Sequence, residues 1–85
     1  MRYSLEISRT AEKQLKRLPA TVQRRVAAML LSFEIEPRPI GCKKLSGFEN
    51  TYRVRLGDYR IIYEIHDRIV TVTALKIGHR KDIYR

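Results

Sequence analysis

The amino-acid sequence predicts an α+β fold of order β-α-α-β-β-β, in which an αα-hairpin packs on one face of an antiparallel sheet. Two segments with helical spacing of apolar residues follow one short alternating segment, and three strand-like segments come after them. A chain of 85 residues is long enough for one hydrophobic core and short for two. We therefore expect residues 1–85 to form a single domain.

The first strand and the first helix are predicted from residues 3–18. Apolar and polar residues alternate over residues 3–8, which is the period of a half-buried strand. Ser8 or Thr10 can cap the following helix, and Leu18 ends it because a residue before proline avoids helical dihedral angles. The apolar residues of this helix are spaced by four and three positions: Ala11, Leu15 and Leu18.

The second helix is predicted to begin at an N-cap, Thr21, and to end at Glu36, which precedes Pro37. A short turn joins the two helices, so we expect them to form an αα-hairpin that covers one sheet face. The apolar stripe of the second helix has helical spacing throughout: Val22, Val26, Met29, Leu30 and Phe33.

Residues 52–66 predict a β-hairpin, because the Gly-Asp pair at 57–58 suits a two-residue type II′ turn. This turn places Arg55 directly opposite Arg60. Alternation then predicts a core face that is nearly all apolar: Tyr52, Val54, Leu56, Tyr59, Ile61, Tyr63 and Ile65. The opposite face carries the remaining side chains: Ile62, Glu64, Arg53, Arg55 and Arg60.

A β-branched run at residues 69–77 predicts the last strand, and a short basic tail follows at residues 78–85. The Asp67-Arg68 pair before this strand is a weak turn signal, so the sequence leaves the register of the last strand open.

The charge of the chain favours an acidic partner. Lys and Arg number 18 against 9 Asp and Glu, which gives a formal net charge of +9. For so small a chain this charge favours a nucleic acid or an acidic protein as the partner. No membrane partner is expected, because the sequence has no apolar run of transmembrane length, no signal-peptide core and no basic aromatic helix.

The sequence predicts no disulfide, metal site or cofactor. Cys42 is the sole cysteine, which excludes an internal disulfide and fits the reducing cytoplasm. Metal-binding sites need several His, Cys or carboxylate ligands close together, and the sequence does not group these residue types.

The predicted Arg55–Arg60 pair points to a binding site. Like charges directly opposite each other destabilise a sheet by up to ~1 kcal/mol, so the pair has no structural benefit. Arginine also suits phosphate recognition, because its planar guanidinium binds phosphate oxygens in pairs. Solubilising charge on a solvated face is the alternative interpretation, and a site for a polyanion is the one that we favour.

Three segments together resemble the signature of the RelE/ParE toxin superfamily. They are Lys44-Leu45-Ser46-Gly47, the hairpin at residues 52–63 and the Gly-His-Arg tail at residues 78–84. The resemblance covers the whole chain and implies a toxin of a type II toxin–antitoxin system. Its RelE branch is similar in being a ribosome-dependent endoribonuclease (mRNA interferase) that cuts messenger RNA in the decoding site, whereas the ParE branch inhibits DNA gyrase.

The resemblance also implies a catalytic cluster around the scissile phosphate. The matching positions are Arg53, Arg55, Arg60, His79, Arg80 and Tyr84. The implied reaction is a metal-free attack of the ribose 2′-hydroxyl on the adjacent phosphorus. The residues expected to bind RNA are Lys43, Lys44, Arg53 and Arg55.

One departure from the family pattern changes the assignment of roles. The ribosome-dependent members carry lysines on the first hairpin strand, and here both positions are arginine, Arg53 and Arg55. Arginine does not lose its proton in proteins, so we interpret both residues as phosphate clamps and not as a general base. His79 is the candidate for proton transfer, with an exposed histidine at a strand end as the alternative. Tyr84 is expected to stack on a base or to orient the nucleophile, with a hydrophobic anchor for the tail as the alternative.

Two other functions stay open at this stage. One is a ParE-like inhibitor that acts by binding a protein, and the other is a noncatalytic RNA-binding module. The expected partners are a cognate acidic antitoxin of the RelB kind, messenger RNA in the ribosomal decoding site and ribosomal RNA, all in the cytoplasm.

Overall fold

The computed structural model describes residues 2–82, which contain two helices and a five-stranded sheet. The predicted α+β class is confirmed, with one strand more than expected. The elements are β1 (Ser4–Ile7), α1 (Arg9–Lys16), α2 (Ala20–Ser32), β2 (Lys43–Lys44), β3 (Thr51–Leu56), β4 (Tyr59–His66) and β5 (Thr71–His79). Neither helix of this part of the chain is long and apolar enough to cross a membrane.

The strands lie in the order β1-β5-β4-β3-β2, and all neighbours are antiparallel except β1 and β5. The parallel β1–β5 pair departs from the antiparallel sheet that we predicted, because β1 enters beside the last strand of the chain. The sequence also gave no signal for β2, which is two residues long and forms by pairing with β3.

The β3–β4 hairpin has the predicted register. Arg55 lies opposite Arg60, and Val54 lies opposite Ile61. Gly57 has φ of 60°, while Asp58 has no positive φ, which is the pattern of a type II′ turn.

Helix α1 begins as predicted, and α2 does not. The Ser8 hydroxyl accepts a hydrogen bond of 3.0 Å from the Ala11 amide, so Ser8 is the N-cap of α1. Helix α2 begins at Ala20 after Pro19, and the predicted cap at Thr21 is wrong. Proline fixes a dihedral angle suited to a helix start, so α2 begins one residue before Thr21 and without a side-chain cap.

Helix α2 also ends earlier than predicted, at Ser32. The amide of Tyr3 donates a hydrogen bond of 2.7 Å to the carbonyl of Glu34 just beyond the helix. The Glu36 carboxylate accepts from the Arg38 amide at 2.8 Å, which turns the chain towards the sheet. These bonds stabilise a turn in place of the last four residues of the predicted helix, which the position of Pro37 alone would have allowed.

The core lies between the two helices and one face of the sheet. Tyr63 is its largest fully buried side chain and stacks on Phe33 with ring centroids 4.2 Å apart. Its hydroxyl donates a hydrogen bond of 2.9 Å to the Pro37 carbonyl. Burial raises the pKa of this phenol, and the neighbouring Cys42 thiol raises it further. The other buried members include two residues of the predicted α2 stripe and three of the predicted hairpin core face: Val26, Leu30, Val54, Ile61 and Ile65.

A β-bulge interrupts β5. Tyr63 of β4 lies opposite Ala74, but its neighbour Ile62 lies opposite Lys76, so Leu75 is the additional residue. The bulge shifts the alternation of β5 by one position. As a result Ala74 and Ile77, three residues apart, both face the core.

A polar cluster at Asp67 ties the N-terminus and the α2–β2 connection to the β4–β5 turn. The Asp67 carboxylate accepts from Arg38 at 2.8 Å and from the Tyr3 hydroxyl at 2.7 Å. Both donors favour the ionised carboxylate, with Arg38 the larger cause, and they lower the pKa of Asp67.

We expect Tyr63→Phe to lower the free energy of unfolding by about 1–2 kcal/mol, because it leaves the Pro37 carbonyl without its donor. Urea denaturation measures this. Tyr59→Phe is the matched control, since the Tyr59 hydroxyl has no hydrogen-bond partner among residues 2–82, and its effect should stay within about 0.5 kcal/mol. An equal loss in both variants would contradict this role of the Tyr63 hydroxyl.

We expect Asp67→Asn to destabilise the chain at neutral pH and to match the parent in acid. The folded pKa of Asp67 is lowered, so its contribution is present above the unfolded value of about 3.9 and is lost as the pH falls through the folded value. Denaturation at several pH values between about 2 and 7 measures the difference in unfolding free energy between Asp67→Asn and the parent, called here the stability gap. In an Arg38→Gln background the stability gap should lose most of its pH dependence. An unchanged pH dependence would contradict its assignment to the Arg38–Asp67 pair.

Candidate functional site

The face of the sheet opposite the helices, called here the open face, carries the arginines that the sequence singled out. Strand partners that lie directly opposite share a face, and residues two apart share it as well. Since Val54 and Ile61 face the core, the side chains of Arg53, Arg55 and Arg60 lie on the open face.

Arg55 and Arg60 are direct cross-strand partners beside the turn. Arg55 is exposed and Arg60 is half-buried. The position next to Arg60 on β5 is Gly78, which adds no side chain to the open face. The pair therefore places two cations side by side on the open face.

Arg53 lies deeper, between Lys43 of β2 and Ile62 of β4. Its Nε is buried, and no residue of the described part of the chain accepts a hydrogen bond from it. A buried donor without an acceptor costs on the order of 1–3 kcal/mol. An acceptor from outside the chain, such as a phosphate oxygen, would remove this cost.

The two lysines predicted to bind RNA lie on different faces. Lys43 is the partner of Arg53 and joins the open face, whereas Lys44 is the partner of Tyr52 and faces the other way. A depression of about 480 Å³ adjoins this edge of the sheet, with Lys43, Arg53 and Arg55 among its lining residues. The structure thus brings Lys43 to the arginines and leaves Lys44 apart from them.

Two further arginines lie near the turn at the end of the arginine pair. The amide of Arg80 donates a hydrogen bond of 2.8 Å to the Asp58 carbonyl, so the backbone of Arg80 lies beside the turn. Arg25 of α2 reaches the turn from the helix layer, with a guanidinium nitrogen 3.9 Å from the place where a Cβ on Gly57 would lie. The sequence offers no signal for this position of Arg25, because no local pattern links α2 to the turn.

His79 lies on the helix side of the sheet, opposite Tyr59, and not on the open face. The imidazole meets the Tyr59 ring edge-on at 5.5 Å, and its Nδ1 accepts a hydrogen bond of 3.2 Å from the Lys81 amide. With Nδ1 as acceptor, the neutral ring carries its proton on Nε2. Tyr84, the last predicted site residue, lies outside the described residues.

This arrangement can hold a phosphodiester. The guanidinium groups of Arg53, Arg55 and Arg60 share one face with the Lys43 ammonium, and guanidinium binds phosphate oxygens in pairs. The fold and the site thus define a small α+β protein with a cationic, anion-binding sheet face.

Comparison with known proteins identifies the family. A model described as the ParE toxin of the type II toxin–antitoxin system parDE matches residues 5–84. The Mycobacterium tuberculosis toxin RelG is 33% identical over 90 aligned positions, which span 100% of this chain and 99% of that protein. The Escherichia coli mRNA interferase toxin RelE is 30% identical over 95% of this chain and 86% of its own length. The chain belongs to the RelE/ParE superfamily of toxins of toxin–antitoxin systems.

Solved structures agree with this assignment. The toxin in the archaeal RelE–RelB complex from Pyrococcus horikoshii has a TM-score of 0.84 and 33% identity, covering 96% of this chain and 99% of that one. The intact Escherichia coli RelBE toxin–antitoxin complex contains a match with a TM-score of 0.79 and 28% identity, which covers 91% of this chain and 95% of the matched chain.

We expect Arg55→Gln to stabilise the fold and to weaken toxicity. Removing one member of the opposed pair relieves a repulsion of up to ~1 kcal/mol, so the free energy of unfolding should rise by a few tenths to ~1 kcal/mol. Denaturation and growth arrest on induction are the two measurements. Arg68→Gln, exposed in the β4–β5 turn, is the matched control and should change neither. A variant that is less stable and fully toxic would contradict the binding role of Arg55.

Proposed function

We propose that this toxin is a ribosome-dependent endoribonuclease that arrests translation by cutting messenger RNA. The observation that carries the proposal is the set of cations on the open face. This set includes an opposed arginine pair and the buried Arg53 Nε, for which residues 2–82 offer no hydrogen-bond acceptor. The similarity to a protein named mRNA interferase toxin RelE adds support.

In the proposed reaction the ribose 2′-hydroxyl attacks the adjacent phosphorus and the 5′-oxygen leaves. The products are a 2′,3′-cyclic phosphate and a 5′-hydroxyl. Negative charge grows on the non-bridging oxygens in the transition state, and guanidinium groups already in place can offset it without reorganisation. One such donor is worth about 3 kcal/mol of transition-state stabilisation. The reaction needs no metal ion if these cations supply the charge.

The residues divide into clamps and a proton-transfer group. Arg53, Arg55 and Arg60 bind the phosphate, because arginine keeps its charge and cannot act as a base. We assign Arg80 to the same cluster from its backbone bond at the turn. His79 is the proposed proton-transfer group from the family resemblance alone, because its ring lies on the helix side of the sheet and the clamps lie on the open face. Its Nε2 is the nitrogen that would carry the proton, since Nδ1 is engaged by the Lys81 amide.

Three more residues belong to the proposed RNA site. Lys43 extends the clamp along the open face, and Lys44 contacts RNA from the far side of the same edge strand. Tyr84 stacks on a base or orients the nucleophile, a role that rests on the family resemblance.

A cognate antitoxin is the proposed protein partner. The net charge of +9 and the cationic open face favour an acidic segment, which can fold as it binds. Relatives of this chain were solved as toxin–antitoxin complexes, among them the archaeal RelE–RelB complex. Ribosomal RNA and messenger RNA are the proposed nucleic-acid partners.

A second candidate function has one observation in its favour. The family model that matches residues 5–84 is the one described as ParE toxin. A ParE-like toxin would inhibit DNA gyrase by binding it and would leave messenger RNA intact, so the experiment below separates the two functions.

We expect induction of the chain in cells to produce new 5′-hydroxyl ends within translated messages. The same message with its start codon removed should stay intact, because the proposed cleavage takes place in the decoding site. Mapping of 5′ ends on the two copies is the measurement, and Arg53→Ala should abolish the new ends. Growth arrest without such ends, together with loss of DNA supercoiling activity, would favour the gyrase function.

We expect the rate of single-turnover cleavage on programmed ribosomes to show one inflection in its pH profile, because a group that transfers a proton must be in the right protonation state. The inflection should vanish in His79→Gln. In Arg53→Ala it should persist at a lower plateau, because an arginine stays charged throughout the pH profile. If His79→Gln keeps both the parental rate and the inflection, then Tyr84, a ribosomal group or water transfers the proton.

A further inference from the structure

The open face also holds an apolar pocket that the arginine chemistry does not use. Residues 45–50 fold back towards β3, with the Leu45 amide donating a hydrogen bond of 2.8 Å to the Thr51 carbonyl. A pocket of about 350 Å³ lies between this loop and the sheet. Its apolar lining consists of Leu45, Phe48, Ile62 and Leu75, and its polar lining of Thr51, Glu64 and Lys76.

The pocket is next to the cations. Ile62, on its lining, is the cross-strand partner of Arg53 on one side and of Lys76 on the other. Arg60 lies two residues from Ile62 on β4, about 7 Å along the strand. A strand of RNA whose phosphate is bound by Arg53 and Arg60 therefore has one neighbouring base within reach of this pocket.

The chemistry of the lining fits a base. Phe48 is 61% exposed, and aromatic side chains in such positions stack on nucleobases whatever their sequence. Ile62 is only 7% exposed although it belongs to the open face, so the residues around it cover most of its side chain. Cations on the same face would hold the phosphates on either side of that group.

We propose that this pocket binds one unstacked nucleobase of the RNA, the base next to the phosphate held by the arginines. This inference rests on the proposed function and adds a specificity site to it. Phe48 stacks on the base, Ile62 and Leu75 close the other sides, and Arg53 and Lys76 hold the flanking backbone.

Glu64 gives the pocket a preference among bases. One carboxylate oxygen contacts His66 Nε2 at 3.2 Å, and the other has no partner in the part of the chain that the structure describes. A carboxylate only accepts hydrogen bonds, so it favours edges with amino groups, as in adenine, cytosine and guanine. Uracil presents two carbonyl acceptors around a single N–H and should bind weakest.

Tryptophan fluorescence tests the occupant directly. The chain has no Trp, so Phe48→Trp places a single fluorophore in the pocket. We expect a short single-stranded RNA to quench it at saturation, and an abasic strand with the same number of phosphates to bind without quenching. Leu31→Trp, exposed on α2, is the matched control and should respond to neither strand.

Affinity gives the second measurement. Phe48→Ala should weaken binding of the base-containing strand by about fivefold to 150-fold and leave the abasic strand unchanged. Arg60→Ala should weaken both strands alike. Equal affinity of Phe48→Ala and the parent for the base-containing strand would overturn the base pocket.

The fluorescence experiment has a second outcome that would overturn the base pocket. Quenching of Phe48→Trp by a synthetic acidic amphipathic peptide, and by no oligonucleotide, would assign the pocket to a protein partner.

A third measurement separates this inference from the proposed function. On programmed ribosomes, the parent should cleave poorly where the pocket would hold uracil. Glu64→Gln should cleave there as well as at the other bases, because an amide both donates and accepts hydrogen bonds. If cleavage occurs and the preference is unchanged in both Glu64→Gln and Phe48→Ala, the base pocket is wrong and the endoribonuclease function stands. If the parent chain cleaves no message while its oligonucleotide binding follows the expected pattern, the function is wrong and the pocket stands.

Discussion

The register fixed by the two-residue turn at Gly57-Asp58 is the constraint on which the rest of the molecule depends. A slip of one residue would turn every side chain of the hairpin to the other face. Ile61 would leave the core, and Arg60 would enter it. Gly57 holds φ of 60°, a conformation that costs other residues roughly 1–2 kcal/mol, so this position both permits the turn and specifies the pairing.

The same alternation explains how the fold tolerates a cationic face. Each large apolar side chain buried on the helix side contributes about 1.5–3 kcal/mol, while the opposed arginine pair costs up to ~1 kcal/mol. Tyr63 and Phe33 alone therefore outweigh the repulsion between Arg55 and Arg60. Because the apolar side chains pack on one face and the charged side chains lie on the other, charge can accumulate on the open face without weakening the core.

The open face is divided along the strands. The turn end carries the Arg55–Arg60 pair, the middle carries Arg53 and the apolar pocket around Ile62, and the far end carries the Glu64–His66 pair. The β-bulge at Leu75 contributes to this division, because it adds an apolar side chain to the pocket while Ile77 stays in the core. In the proposed RNA complex, the phosphate-binding and base-binding sites would follow one another along one sheet.

The sequence by itself determined the features that depend on local rules. A Gly-Asp turn flanked by alternating residues predicted the hairpin and its register. The sequence also placed the cap of α1 at Ser8 or Thr10, and the structure uses Ser8. Only the tertiary structure placed Arg25 at the turn, since residues distant in sequence meet there. It also decided the position of His79. Unbroken alternation from Ala74 would turn His79 to the open face, but the bulge, which forms only when β5 packs against β4, turns it to the helix side.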